Sequence, residues 1–185
     1  MKKVFVCLFV LVLAGCAANP EKLATVAQEE SARMAPTSEP LSAFGSFELQ
    51  PMTMSDTVRS DAGKVKQAKL LEDKLRAKLI PLFEEWEHDG NGTGRKLLVQ
   101  PSVARLRIVS GGARFWAGAF AGDSHIDMDL KLVDASTEEV VGAPRINIGS
   151  GGMGGAWSVG ATDRNLLDYV AAISNQYLVA NYKRM

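Results

Sequence analysis

Two cysteines and two histidines are all this 185-residue chain has of the side chains that most often do redox, thiol or metal chemistry. Cys7 lies inside the first apolar stretch and Cys16 at its exit, so residues 17–185 carry no thiol. Disulfides, zinc–thiolate sites and cysteine catalysis are thereby excluded from the body of the protein. Charge of one sign is also lacking: 21 basic and 21 acidic residues give a net charge of +0, which offers nucleic acid no electrostatic footprint. Long hydrophobic runs are absent but for Val4 to Gly15. That run of roughly 12 residues is too short to cross a bilayer core of about 30 Å.

What is there begins at the N-terminus. "MKK" followed by "VFVCLFVLVLAG" is a basic segment and an apolar core, the form of a cleavable export signal over residues 1–15. Its exit, Leu13-Ala14-Gly15-Cys16, resembles the lipobox of bacterial lipoproteins. The resemblance implies cleavage between Gly15 and Cys16 and fatty acylation of Cys16. Two or three acyl chains, at about 0.8 kcal/mol per buried CH₂, anchor a protein stably. Ala17, where aspartate would signal inner-membrane retention in that family, implies the outer membrane, with the domain facing the periplasm. Cleavage removes two lysines and no acid, leaving a net charge of about −2.

Residues 16–43 read as a lipidated cysteine and a flexible tether. "NPEKLATVAQEESARM" can form a short helix with Asn19 as cap and Pro20 in the first turn, and "APTSEP" ends it. As coil, the segment reaches roughly 25–30 Å. Residues 44–185 read as one domain. "FGSFELQPM" (44–52) is a strand ended by Pro51. Over 61–88, Ala68, Leu71, Leu75, Leu79, Leu82 and Trp86 recur at helical spacing, with a kink or break expected at Pro81. In 95–110 the apolar parity switches between Val103 and Ala104, which predicts a bulge. In 125–135, Ile126, Met128, Leu130 and Leu132 alternate with His125, Asp127, Asp129 and Lys131. "VVGAPRINIG" (140–149) returns as a further strand. A last helix over 163–182 repeats Leu166, Val170, Ile173, Tyr177 and Ala180.

The expected fold is α+β in the order β-α-β-β-β-α, a four-stranded mixed sheet with two helices on one face. A right-handed βαβ start makes the first two strands parallel, and the last three form a meander. That connectivity brings "SGGARFWAGAFAGDS" (110–124) and "SGGMGGAWSVG" (150–160) to one sheet end. The tether then enters from the opposite end, so both segments are expected to lie away from the lipid.

Candidate chemistry is thin. "DGNGTG" (89–94) imitates a calcium loop but has Gln100 where a bidentate glutamate belongs, and reads as a turn. "GSGGMGG" has no Lys-Ser/Thr pair and does not open a helix as a dinucleotide motif would, so it reads as a connector. His125, Asp127 and Asp129 stand about 7 Å apart on one strand face. They could supply two metal ligands or a base with its orienter, or be the wet face of the strand. Arg114, Phe115, Trp116, Phe120 and Trp157 form the candidate interaction patch, packed inward as a cap or exposed to a partner.

"LVQPSVARLRIVSGGARFWAGAFAGDSHIDMDLKLVDASTEEVVG", with "GGMGG" and a terminal helix, resembles a family of small bacterial lipoproteins carrying a domain of unknown function. The element order is more distantly similar to the periplasmic domains of the curli secretion-channel lipoprotein, the TolB N-terminal domain and penicillin-binding-protein activator lipoproteins. The resemblance implies action through protein contacts, and no catalytic residue. At 136–139, Ser-Thr-Glu-Glu departs from the family by placing glutamate where glycine is usual, so a looser turn is expected. The expectation is a non-enzymatic lipoprotein without cofactor or metal, in contact with the membrane through its lipid and with envelope proteins or its own copies. The alternatives are a glycan- or small-ligand-binding domain using Trp116 and Trp157, and a weak metal-dependent hydrolase using His125.

Overall fold

Alternating apolar residues in 96–107 and 125–134 pair as the two central strands of a mixed sheet. The computed structural model describes residues 20–88, 93–109, 122–149 and 165–183. The elements are helix α1 (Pro20–Arg33), a 3-10 turn (Leu41–Ala43), β1 (Ser46–Leu49), β2 (Thr53–Met54), α2 (Asp56–Arg59) and α3 (Ala62–His88). They are followed by β3 (Lys96–Arg107), β4 (His125–Asp134), β5 (Val140–Gly142), β6 (Arg145–Gly149) and α4 (Leu166–Tyr182).

The class is α+β, but with six strands and four helices among the described residues, where four and two were expected. The extra strands arise by interruption. Pro51 lies between β1 and β2, and both pair parallel with β3. Ala143-Pro144 separates β5 from β6, and both pair antiparallel with β4. The expected parallel start and meander are present, and the β3–β4 register shifts between Val103 and Arg105, at the expected bulge. Ser55 fastens β2 to that bulge, its N–H donating to the Val103 carbonyl and its Oγ to the Ala104 carbonyl.

The sheet's inner face (Leu97, Val99, Val103, Leu106, Ile126, Met128, Leu130, Leu132) is buried beneath α3 and α4. Helix α3 starts at Asp61, whose Oδ1 accepts from the Gly63 and Lys64 N–H groups as an N-cap. It buries Ala68, Leu71, Leu75, Leu79, Phe83 and Trp86 and continues through Pro81 without the expected break. Pro81 and Ala77, whose carbonyl loses its helical donor, are both exposed, so water can satisfy that carbonyl. Phe47, Phe83, Trp86 and Tyr182 cluster at the start of β1, with the Trp86 and Tyr182 rings stacked at 4.1 Å. Ala180, placed on the apolar stripe by its spacing, is exposed, and Asn181 is buried instead.

Residues 20–43, expected to be a flexible tether, are folded onto this body. Helix α1 buries Val26, Ala27 and Ser31 against α4. The chain after it is clamped: the Thr37 N–H donates to Asn181 Oδ1 at 3.0 Å, the Tyr177 hydroxyl to the Ala35 carbonyl at 3.0 Å, and the Ser38 N–H to the Val141 carbonyl at 2.8 Å. Gly142 makes room for this, since a Cβ there would come within 3.0 Å of Thr37 and 3.1 Å of the Tyr177 hydroxyl. These bonds fix the end of α1 beside the C-terminal part of α4. Its buried residues can then be covered only if α1 runs alongside α4 in the same direction.

Arg95 holds the β4–β5 turn. Its guanidinium lies 4.4 Å over the Phe44 ring and donates to both Glu39 and Asp134. The Asp134 carboxyl is held well below the usual carboxylate range by the Ser136 hydroxyl and N–H and then by Arg95. The turn is tight rather than loose: the Glu138 N–H donates to the Asp134 carbonyl at 2.9 Å. Glu138 sits at φ 61°, the left-handed region that favours glycine.

Glu138→Gly is expected to stabilise the protein by about 0.5–1 kcal/mol, the relief of a left-handed non-glycine residue less the entropy of glycine; the midpoint of urea unfolding checks it. Asp134 supports the fold above its ordinary pKa and loses that support as pH falls through its lowered one. Asp134→Asn should therefore flatten the fall of stability on acidification below about pH 4, read by thermal melts at successive pH values.

Candidate functional site

Several expected site residues lie outside the described residues: Gly15 and Cys16, and the patch Arg114, Phe115, Trp116, Phe120 and Trp157. Most of the calcium-like turn (89–92) does too. The positions from which the two Gly-rich segments depart are described, and they converge. Arg107 of β3 pairs with His125 of β4, and His125 with Gly149 of β6, so both segments leave the same end of the sheet, as the connectivity predicts. The first is pinned at its base, where the Val109 N–H donates to the buried Ser124 Oγ at 2.7 Å. Gly122, at φ 73°, lets the chain turn against the Arg107 guanidinium, which a Cβ would approach to 3.0 Å.

His125, Asp127, Asp129 and Lys131 share the sheet's outer face, as their alternation requires. Their carboxylates are already engaged. Asp127 accepts from Arg105 Nε and from Asn147 Nδ2, and Asp129 from Arg145 Nε at 2.7 Å. Each acid faces its donor across the ladder, since Asp127 is in register with Arg105 and Asn147, and Asp129 with Arg145. Among the described residues no three His, Cys, Asp or Glu side chains are grouped to hold a metal ion. The arrangement binds strands together and leaves neither Asp127 nor Asp129 free to orient His125 as a base.

The same end holds two adjoining clefts. One, of about 280 Å³, is lined by Thr57, Lys64, Arg105, Leu106, Arg107 and His125. The other, of about 440 Å³, is lined by Asp61, Gly63, Lys64, Gln67, Arg107 and Ile108. Lys64 and Arg107 belong to both. Sequence spacing puts Arg105 and Arg107 on one strand face but has no way to bring Lys64, about forty residues earlier, beside them. A third cleft, of about 530 Å³, is lined by Gln50, Pro51, Thr53, Gln100, Ser102 and Lys131 and offers no catalytic pair.

This end of the molecule is also where α1 begins. Tyr182 stacks on Trp86 near the start of β1, and Asn181 holds Thr37, so α4 ends at the hairpin end of the sheet and starts toward the other. Helix α1, running with α4, therefore begins toward the loop-bearing end. The chain does enter β1 from the end opposite the Gly-rich segments, as expected, but α1 itself starts toward the loop-bearing end, because the chain runs the length of α4 before entering β1.

No family model matches the chain, and no curated protein does. Solved structures of similar outline include PelC from Paraburkholderia phytofirmans, a dodecamer seen in two crystal forms. One form is a single-substitution variant, at 12% identity and TM-score 0.43 over 82% of this chain and 97% of that one. The other is at 17% and 0.40 over 81% and 94%. A Caulobacter crescentus protein provisionally described as a lipoprotein matches at 16% and 0.28, over 75% and 87%. Likeness of this order leaves the site to be read from the chain's own residues.

Ser124→Ala removes the buried acceptor of the Val109 N–H. It should cost about 1–3 kcal/mol, the penalty of an unsatisfied buried donor. Hydrogen exchange at Val109 should rise more than at the β3 centre. Unchanged exchange would show that Ser124 does not pin the segment.

Proposed function

We propose that this protein is a lipid-anchored cell-envelope lipoprotein, acylated at Cys16 and held at the outer membrane facing the periplasm. Its folded domain works by contact with other envelope proteins or with its own copies, and not by catalysis. The observation that carries the contact reading is the convergence of two segments, each rich in glycine and containing a tryptophan, on one sheet end. Glycine lets such segments conform to a partner, and Trp and Arg are favoured anchors at interfaces. The outer-face acids are spent on cross-strand pairs, which argues against the hydrolase alternative. No described helix is long and apolar enough to cross a membrane, so attachment in this reading rests on the lipid.

Cys16→Ser should lose the acyl mass and move the protein from the membrane to the soluble or unprocessed pool. For the contact surface, Trp116→Ala combined with Trp157→Ala should remove most neighbours captured by in-cell crosslinking while the acylated protein stays at the membrane. An unchanged set of neighbours would sink the contact role of these segments.

A further inference from the structure

The described charges are divided between the two ends of the sheet. Arg59, Lys64, Lys66, Lys69, Arg105 and Arg107 gather at the loop-bearing end, on α2, the first turns of α3 and the last residues of β3. Of the acids there, Asp61 caps α3, Asp56 pairs with Arg59, Asp127 is matched by Arg105 and Asn147, and Asp123 is exposed, so six cations against four acids leave this end an excess of two positive charges. The opposite end carries Glu84, Glu85 and Glu87 at the close of α3 and Glu138 and Glu139 in the β4–β5 turn, all exposed. The domain is thus electrically polar along its strands although the formal charge of the whole chain is +0.

The start of α1 lies toward the basic end. From Pro20 back to Cys16 is four residues, a reach of at most about 14 Å. A lipid on Cys16 would therefore hold the basic end, and not the acidic one, against the bilayer.

We infer that the face formed by α2, the start of α3 and the end of β3 docks on an anionic phospholipid surface, with Lys64, Arg105 and Arg107 around their cleft as its centre. The inference rests on the acylation of Cys16 proposed above. The short reach supplies proximity and the charge division supplies orientation: the basic end is attracted within a Debye length, about 8 Å at physiological salt, and the acidic end is repelled. The lipid anchor alone would leave the domain free to tumble. The basic end makes one orientation preferred.

Cys16 is blocked by lipid and Cys7 leaves with the signal, so a single introduced cysteine is the only thiol to label. The acylated protein is reconstituted in vesicles of phosphatidylcholine with about 30% phosphatidylglycerol, carrying a headgroup-attached quencher. A fluorophore is placed at Ser60→Cys on the basic end or at Ala135→Cys on the acidic end. Both positions are exposed. Quenching at position 60 is expected to exceed that at 135 by at least about threefold. The ratio should fall toward one in pure phosphatidylcholine, in about 1 M salt, and in Lys64→Glu combined with Lys66→Glu. Circular dichroism of each variant confirms its fold. Acylated protein with equal quenching at the two positions, or with a ratio indifferent to phosphatidylglycerol, overturns this inference alone. Protein whose intact mass shows no acyl chain overturns the anchoring reading and this one with it.

Discussion

Ten residue pairs of antiparallel ladder between β3 and β4 are the constraint on which the other elements depend. Each strand offers one apolar parity to the helices and one polar parity to water. Strands β1 and β2 are added parallel on the free side of β3, and β5 and β6 antiparallel on that of β4. The bulge at Ala104 is the one place where the ladder changes phase. It restores burial at Leu106 and turns Arg105 and Arg107 outward together. Without that extra residue the parity of Leu97, Val99 and Val103 would bury Arg105 and Arg107 under the helices, at the high cost of uncompensated buried charge.

Beneath the sheet, α4 carries two burdens. It packs against both α1 and α3 and against the β4 and β6 side of the sheet, burying Leu166, Leu167, Val170, Ala171, Ile173, Ser174, Tyr177 and Leu178. Asn181 closes the arrangement, accepting from the Thr37 N–H and donating to the Tyr177 carbonyl, so a buried amide is satisfied on both sides. The outer face spends charge differently. Its ion pairs are partly exposed, as with Arg145 and Asp129 at 72% and 37%, and each contributes at most about 1 kcal/mol. Their weight lies in register and in occupying carboxylates, more than in stability.

Where sequence and structure part, the reason is a contact that the local rule does not count. Pro81 signals a break by local rules, but the core face of α3 is long enough to carry the helix across it, and the orphaned carbonyl points to water. Residues 20–43 look like a linker because only Val26, Ala27 and Ser31 of α1 are buried, too few to announce a packed helix. Glutamate at position 138 suggests a loose turn, yet the Asp134 carboxylate and the Ser136 hydroxyl hold it tight and the backbone accepts a left-handed residue. At the candidate site the strand face of His125, Asp127 and Asp129 is legible from alternation, but the donors that engage them, Arg145 and Asn147, come from another strand.

Local pattern by itself determined the two central strands and their bulge, the core stripe of α3 and the parallel start of the sheet. All of these are periodicities or motifs that a short window contains. The tertiary structure alone decided which way helix α1 runs, and hence which end of the domain its first residue lies toward. That direction is set by a hydrogen bond between Thr37 and Asn181, residues 144 apart in the chain, and by a helix face that becomes apolar enough only when α4 is there to cover it.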